Sequence, residues 1–144
     1  MHVVTGGAYN GKTAWIKNHY MLESRVHQWI SAHDGGSYLL EQHISDFIDL
    51  IVLSDVEQWV WQWVQRGETD RQYGQDVLQR WLDWEKAEPN RVVIVIGADI
   101  SKGIVPMEKA DRQWRDLTGW FYQDLVEASE RFDLIWYGVS KRLK

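Results

Sequence analysis

The chain has 144 residues, a length that suits one compact domain. It contains no cysteine, which excludes disulfides and thiolate metal sites, and a formal net charge of −5 with no basic run argues against nucleic acid or an anionic membrane surface as main partner. The opening Met-His-Val-Val-Thr-Gly-Gly lacks the features of a signal peptide, and no apolar run approaches the ~18 residues of a membrane span, so a cytoplasmic location is expected.

In chain order, residues 2–5 read as a short apolar strand. Residues 12–31 read as a helix carrying Trp15, Ile16, Tyr20, Val26, Trp29 and Ile30, broken by the Asp-Gly-Gly-Ser at 34–37. Residues 38–47 fit either a short strand or a helical turn. Residues 48–53 are a buried strand, 55–65 a Trp-rich helix, 66–74 a polar loop, and 75–87 a helix with Val77, Leu78, Trp81 and Trp84 on its apolar side. Pro89 and Asn90 punctuate the chain before 91–97, an unbroken β-branched run of the kind found in a central strand. Residues 108–130 form a helix with a stripe of Ala110, Trp114, Leu117, Phe121, Leu125 and Ala128, and 133–139 form the last strand. This alternation predicts an α/β fold with a mainly parallel sheet, all within a single nucleotide-binding domain over 1–144. Ten tryptophans point to a large aromatic core and a subunit interface, with stacking on a nucleobase or an apolar substrate as the sharper alternative.

The strongest signal is Gly6-Gly7-Ala8-Tyr9-Asn10-Gly11-Lys12-Thr13, which satisfies G-x-x-x-x-G-K-[ST] between a strand and a helix. The chemistry requires these residue types. Glycines let the backbone curl so that successive N–H groups face phosphate oxygens, and the helix N-terminus adds the positive end of its dipole. Lys12 then reaches the β- and γ-phosphates of a nucleoside triphosphate, ATP or GTP, and the Thr13 hydroxyl is placed to ligate Mg²⁺.

Such a loop needs a carboxylate at the end of a neighbouring strand. Asp55, after Leu50-Ile-Val-Leu-Ser, is the candidate for the metal side; it equally suits an N-cap of the following helix. Asp99, just past 91–97, is the second candidate, or an ordinary turn residue.

With these residues in place, the chain resembles the bifunctional adenosylcobinamide kinase/adenosylcobinamide-phosphate guanylyltransferases of cobalamin biosynthesis. The loop is similar to their G-G-A-R-S-G-K-S. The C-terminal third is similar to their N-E-V-G-x-G-I-V-P, here Ala98-Asp99-Ile100-Ser101-Lys102-Gly103-Ile104-Val105-Pro106, with Asp99 in place of the family's Glu. Arg112, Arg115, Asp116 and Gly119 match R-x-x-R-D-x-x-G, and Tyr137-Gly138 with Arg142-Leu143-Lys144 match the closing strand. The similarity covers about residues 1–17 and 48–144. It implies a P-loop NTPase fold of the RecA-like kind, phosphorylation of the aminopropanol hydroxyl of adenosylcobinamide, and a homo-oligomer, a trimer in that family.

The family's guanylylated His lies in H-R-x-x-R-P-x-x-W, and that motif is absent here; of His27, His33 and His43 in the corresponding region, His33 beside the Gly-Gly turn is the candidate. Arg112 and Arg115 fit a substrate or phosphate role through the planar guanidinium fork, or a surface pairing with Asp111 or Asp116. Trp120, off the apolar stripe, suits a ligand or another subunit. The expected machinery is thus Lys12, Asp55 and Asp99 as catalytic groups, Thr13 and Asp55 for Mg²⁺, and a corrinoid as acceptor. The alternatives are a P-loop kinase of another small alcohol and a non-catalytic nucleotide-binding regulator.

Overall fold

The computed structural model describes residues 1–34 and 47–144. The strands among them are β1 (His2–Gly6), β2 (Gln28–Ser31), β3 (Leu50–Ser54), β4 (Val92–Ala98), β5 (Arg131–Trp136) and β6 (Val139–Arg142). They form one sheet in the order β2-β3-β4-β1-β5-β6. Every neighbouring pair is parallel except β5 and β6, which run antiparallel. The helices are α1 (Lys12–His19), α2 (Val56–Gln65), α3 (Arg71–Ala87) and α4 (Lys109–Ala128). This is the P-loop type of α/β architecture expected from the sequence.

The apolar strands read as continuous runs because both faces of the sheet are covered. Val3, Ile51, Leu53, Val93 and Val95 pack on Trp59, Trp63, Trp81, Trp84, Phe121 and their neighbours from α2, α3 and α4. The alternate residues Val4, Val52, Ile94, Ile96 and Ile135 face the other way, onto Ile16 of α1 and Leu22. The core reading of the tryptophans therefore holds for the four buried rings, while Trp120 and Trp136 are exposed.

Three sequence expectations change. The helix expected over 12–31 ends at His19, and Gln28–Ser31 is an edge strand paired with Ile51–Ser54. Met21 takes a left-handed conformation, which ends the helical geometry, and strand pairing fixes Trp29, whose indole N–H donates to Ser54 Oγ at 3.0 Å. Helix α3 begins at Arg71, earlier than expected, because the Asp70 side chain caps it by accepting from the Gln72 N–H. A sixth strand, 139–142, pairs with β5 after a turn at Tyr137 and Gly138. The assignment left open over 38–47 falls, except for Phe47, outside the described residues.

At the end of the sheet remote from the loop, buried polar groups tie α1, β1 and β5 together. His2 Nε2–H donates to Asp133 at 2.8 Å, and His2 Nδ1 accepts from the Tyr20 hydroxyl at 2.7 Å. Arg131 completes the Asp133 carboxylate with a 2.5 Å bond. These bonds satisfy groups that burial would otherwise leave unpaired, at a cost of about 1–3 kcal/mol each.

Candidate phosphate-binding site

Strand β1 sits in mid-sheet, between β4 and β5, so its carboxyl end opens where two neighbouring strands also end. The chain leaves β1 at Gly6 with φ +152°, and a Cβ there would lie 2.2 Å from the Ile135 carbonyl oxygen. No other residue fits, because β5 runs too close. Beyond it, the Asn10 N–H donates to Gly7 O at 3.3 Å, and Gly11 enters α1 in a left-handed conformation as its N-cap. The turn between β5 and β6 supports the loop from outside, through a 2.8 Å bond from the Gly138 N–H to Asn10 O.

Lys12 opens α1 and folds its side chain back over the loop. Its ammonium donates to the carbonyls of Gly7 at 2.9 Å and Gly6 at 3.2 Å. Burial lowers the Lys12 pKa, while the negative fields of Glu57 and Asp55 push it back up. The cation is thus held among loop carbonyls and faced by two acids. Thr13, one residue on in α1, is exposed.

Asp55 and Asp99 stand at the ends of two different strands. Asp99 follows β4, the direct neighbour of β1, and its backbone N–H donates to Gly6 O at 3.1 Å. Its Oδ1 accepts from both the N–H and the hydroxyl of Ser101, and Oδ2 faces the Lys102 ammonium at 3.4 Å. Burial raises the Asp99 pKa, but the Ser101 and Lys102 contacts outweigh it, and the net shift is downward.

Asp55 follows β3, which β4 separates from β1, so its strand is one removed from the loop's strand and not adjacent as the sequence suggested. It occupies the N-cap position of α2 with φ +63°, yet its side chain makes no capping bond. Its Oδ2 instead accepts from Ser31 at 2.8 Å and Ser54 at 2.9 Å. Ser31 also accepts from the His33 N–H at 3.1 Å, which brings that histidine's backbone into the same cluster.

Arg112 and Arg115 lie in the first two turns of α4 and bond to neither Asp111 nor Asp116. Arg112 donates to the carbonyls of Pro106, at 3.1 Å, and Met107. Arg115 donates to the carbonyls of Ser101 and, at 3.5 Å, Ile104. Both guanidiniums therefore hold the main chain of the loop after β4. Trp120 lies farther along α4, beside Thr69, Asp70 and Arg71.

Sequence reasoning missed Glu57, which is 6% exposed and accepts from the Ala98 N–H at 2.9 Å. The signal available was the one acid in a helix otherwise made of Trp, Val and Gln, VEQWVWQWV. It also missed Tyr122, whose hydroxyl donates to Ala98 O at 2.8 Å. No helix among the described residues is long and apolar enough to cross a membrane.

A model of the cobinamide kinase / cobinamide phosphate guanyltransferase family matches residues 16–143, beginning just after the Gly6–Thr13 loop. A search of curated proteins gave no match. The match spans most of the chain, and the chain belongs to this family.

Proposed function

We propose that this member of the cobinamide kinase / cobinamide phosphate guanyltransferase family binds ATP or GTP at Gly6–Thr13 and transfers the γ-phosphoryl group to the aminopropanol hydroxyl of adenosylcobinamide. The observation that carries the reading is the Lys12 ammonium held against Gly6 O and Gly7 O, where a left-handed Gly11 opens α1 at the carboxyl end of a central strand. That arrangement offers backbone N–H groups, a helix dipole and a cation to one polyphosphate.

In this account the N–H groups of Gly7 to Thr13 cradle the β- and γ-phosphates. Lys12 exchanges two neutral carbonyls for charged oxygens, a stronger pairing. The acceptor hydroxyl oxygen forms a bond to the γ-phosphorus as the bond to the β,γ-bridging oxygen breaks. Asp99, whose Oδ2 faces the Lys102 ammonium at 3.4 Å, orients that hydroxyl. Arg112 and Arg115, which hold the loop after β4, would neutralise product charge once they release its carbonyls.

The donor set suits Mg²⁺. Thr13 and Asp55 supply hard oxygens, and among the described residues no group of three or more His, Cys, Asp or Glu side chains could hold a metal ion alone. Magnesium typically takes one or two protein ligands and completes its shell with phosphate and water. When bound it would offset charge developing on the phosphates.

Incubating the protein with ATP or GTP, Mg²⁺ and adenosylcobinamide tests the kinase reading. A corrinoid product heavier by one phosphoryl group is expected; its absence at high enzyme concentration rejects the reading. For the family's guanylyl transfer, His33 is the candidate, its backbone N–H reaching Asp55 through Ser31 Oγ. Because the H-R-x-x-R-P-x-x-W motif is absent, intact mass after GTP treatment should show no covalent GMP. An adduct mapping to His33 would establish the second activity.

A further inference from the structure

Strand β3 stops at Ser54, opposite Ile96, so β4 runs two residues beyond its partner. On its other side β4 continues beside β1, with Ala98 opposite Gly6. In a parallel ladder the N–H and C=O of one residue point to the same side. At Ala98 that side faces the ground which β3 has vacated. Two side chains fill the gap. Glu57 Oε2, from the first turn of α2, accepts the Ala98 N–H at 2.9 Å, and the Tyr122 hydroxyl, from α4, donates to Ala98 O at 2.8 Å. The two side chains also meet, Tyr122 Oη lying 3.4 Å from Glu57 Oε2. Space for this is made at Gly97, where a Cβ would lie 2.1 Å from the Tyr122 hydroxyl oxygen. The α2 backbone is anchored as well, because the Trp114 indole N–H donates to Glu57 O at 2.6 Å.

The next peptide leads to the phosphate loop. The Asp99 N–H donates to Gly6 O at 3.1 Å, and Gly6 O is one of the two carbonyls that hold Lys12. The chain of contact runs from Glu57 and Tyr122 to Ala98, then Asp99, Gly6 and Lys12.

We propose that Glu57 and Tyr122 are positioning residues for nucleotide binding: they replace the missing strand at Ala98 and so fix the Asp99–Gly6 wall of the loop that receives the phosphates. The inference rests on the reading of Gly6–Thr13 as a nucleotide site, and it assigns the two residues no contact with substrate. Glu57 acts through its acceptor oxygen, which an amide oxygen reproduces. The charge acts in the opposite sense, since the negative field of the carboxylate, which reaches Lys12, also repels an incoming phosphate.

The test is calorimetric titration of Mg-ATP and Mg-GTP into wild type, Glu57→Ala, Glu57→Gln and Tyr122→Phe, at a temperature where each is folded by circular dichroism. Glu57→Ala should raise Kd about ten-fold, the cost of leaving the Ala98 N–H without its acceptor, and Glu57→Gln should bind at least as tightly as wild type. Tyr122→Phe, which removes only the hydroxyl, should raise Kd about three-fold and serves if Glu57→Ala does not fold. A purely structural role would lower the melting temperature of the folded variants and leave Kd alone, so a Kd within two-fold of wild type for Glu57→Ala, or for Tyr122→Phe in its stead, overturns the proposal. If wild type binds neither nucleotide, the functional reading is what fails. Amide exchange at Asp99 then decides the clasp: faster exchange in Glu57→Ala, or in Tyr122→Phe if that alone folds, supports it, and unchanged exchange overturns it.

Discussion

The ammonium of Lys12 lies 2.9 Å from the carbonyl oxygen of Gly7, five residues before it in the chain. A lysine that spans its own loop closes a ring of backbone around itself, and the ring's carbonyls mark where phosphate oxygens would compete. Lys12→Ala should therefore weaken nucleotide binding by about 1.5–3 kcal/mol, roughly ten- to a hundred-fold in Kd. Binding and turnover should fall together. Detectable product from wild type, lost in Lys12→Ala, would also argue against a purely regulatory role.

Gly6→Ala should damage fold and site at once. The added methyl meets the Ile135 carbonyl, and φ +152° is strained for a side-chain-bearing residue. A loss of about 1–3 kcal/mol is expected in urea unfolding, with nucleotide binding weakened in whatever protein remains folded. Wild-type stability for Gly6→Ala would show that β5 can move away from β1.

The pH dependence of stability should follow His2. Burial lowers its pKa to about 4 from an ordinary 6.5; the hydrogen bond and charge of Asp133 oppose the shift, and Arg131 and His19 add to it. Between those two values the unfolded chain binds a proton that the folded chain does not. The His2 contribution is thus fully present above pH 6.5 and is lost as pH falls toward 4. His19, also lowered, adds a weaker slope of the same sign. Asp133, held below its ordinary value by Arg131 and His2 despite burial, acts at still lower pH. Urea midpoints measured from pH 7 to 4.5 should decline for wild type and decline less for His2→Gln. Equal slopes would remove His2 from the account.

Arg115→Ala should loosen the segment after β4. Its guanidinium donates to Ser101 O and Ile104 O, on either side of Gly103, and Lys102 within that segment is largely exposed. Trypsin should cut after Lys102 faster in the variant than in wild type. An unchanged rate would mean that the contacts of Arg112 and Asp99 suffice to hold the loop.

The fold and the loop were legible because their signals are local. Gly6, Gly11, Lys12 and Thr13 state a backbone curl and a cation at fixed spacing, and the β-branched run at 92–96 can be little other than a central strand. Residues 12–31 misled because Trp15, Ile16, Trp29 and Ile30 fall at helical intervals, whereas the left-handed Met21 and the pairing of Trp29 with Val52 are decided by tertiary contact. The same holds for the site. Asp55 and Asp99 are strand-end acids that can be read from sequence. The clasp of Glu57 and Tyr122 on Ala98 joins residues 41 and 24 positions from Ala98, and depends on β3 stopping short of β4. The hydrogen bond from His2 to Asp133 crosses 131 positions and left no mark in either segment.

The most direct measurement is calorimetry of the wild-type protein with Mg-ATP and Mg-GTP. Saturable, one-to-one heat with at least one of them, weakened roughly ten- to a hundred-fold by Lys12→Ala, is the predicted result. Titrations of correctly folded protein that show no saturable heat with either nucleotide would contradict the assignment of Gly6–Thr13 as a phosphate cradle.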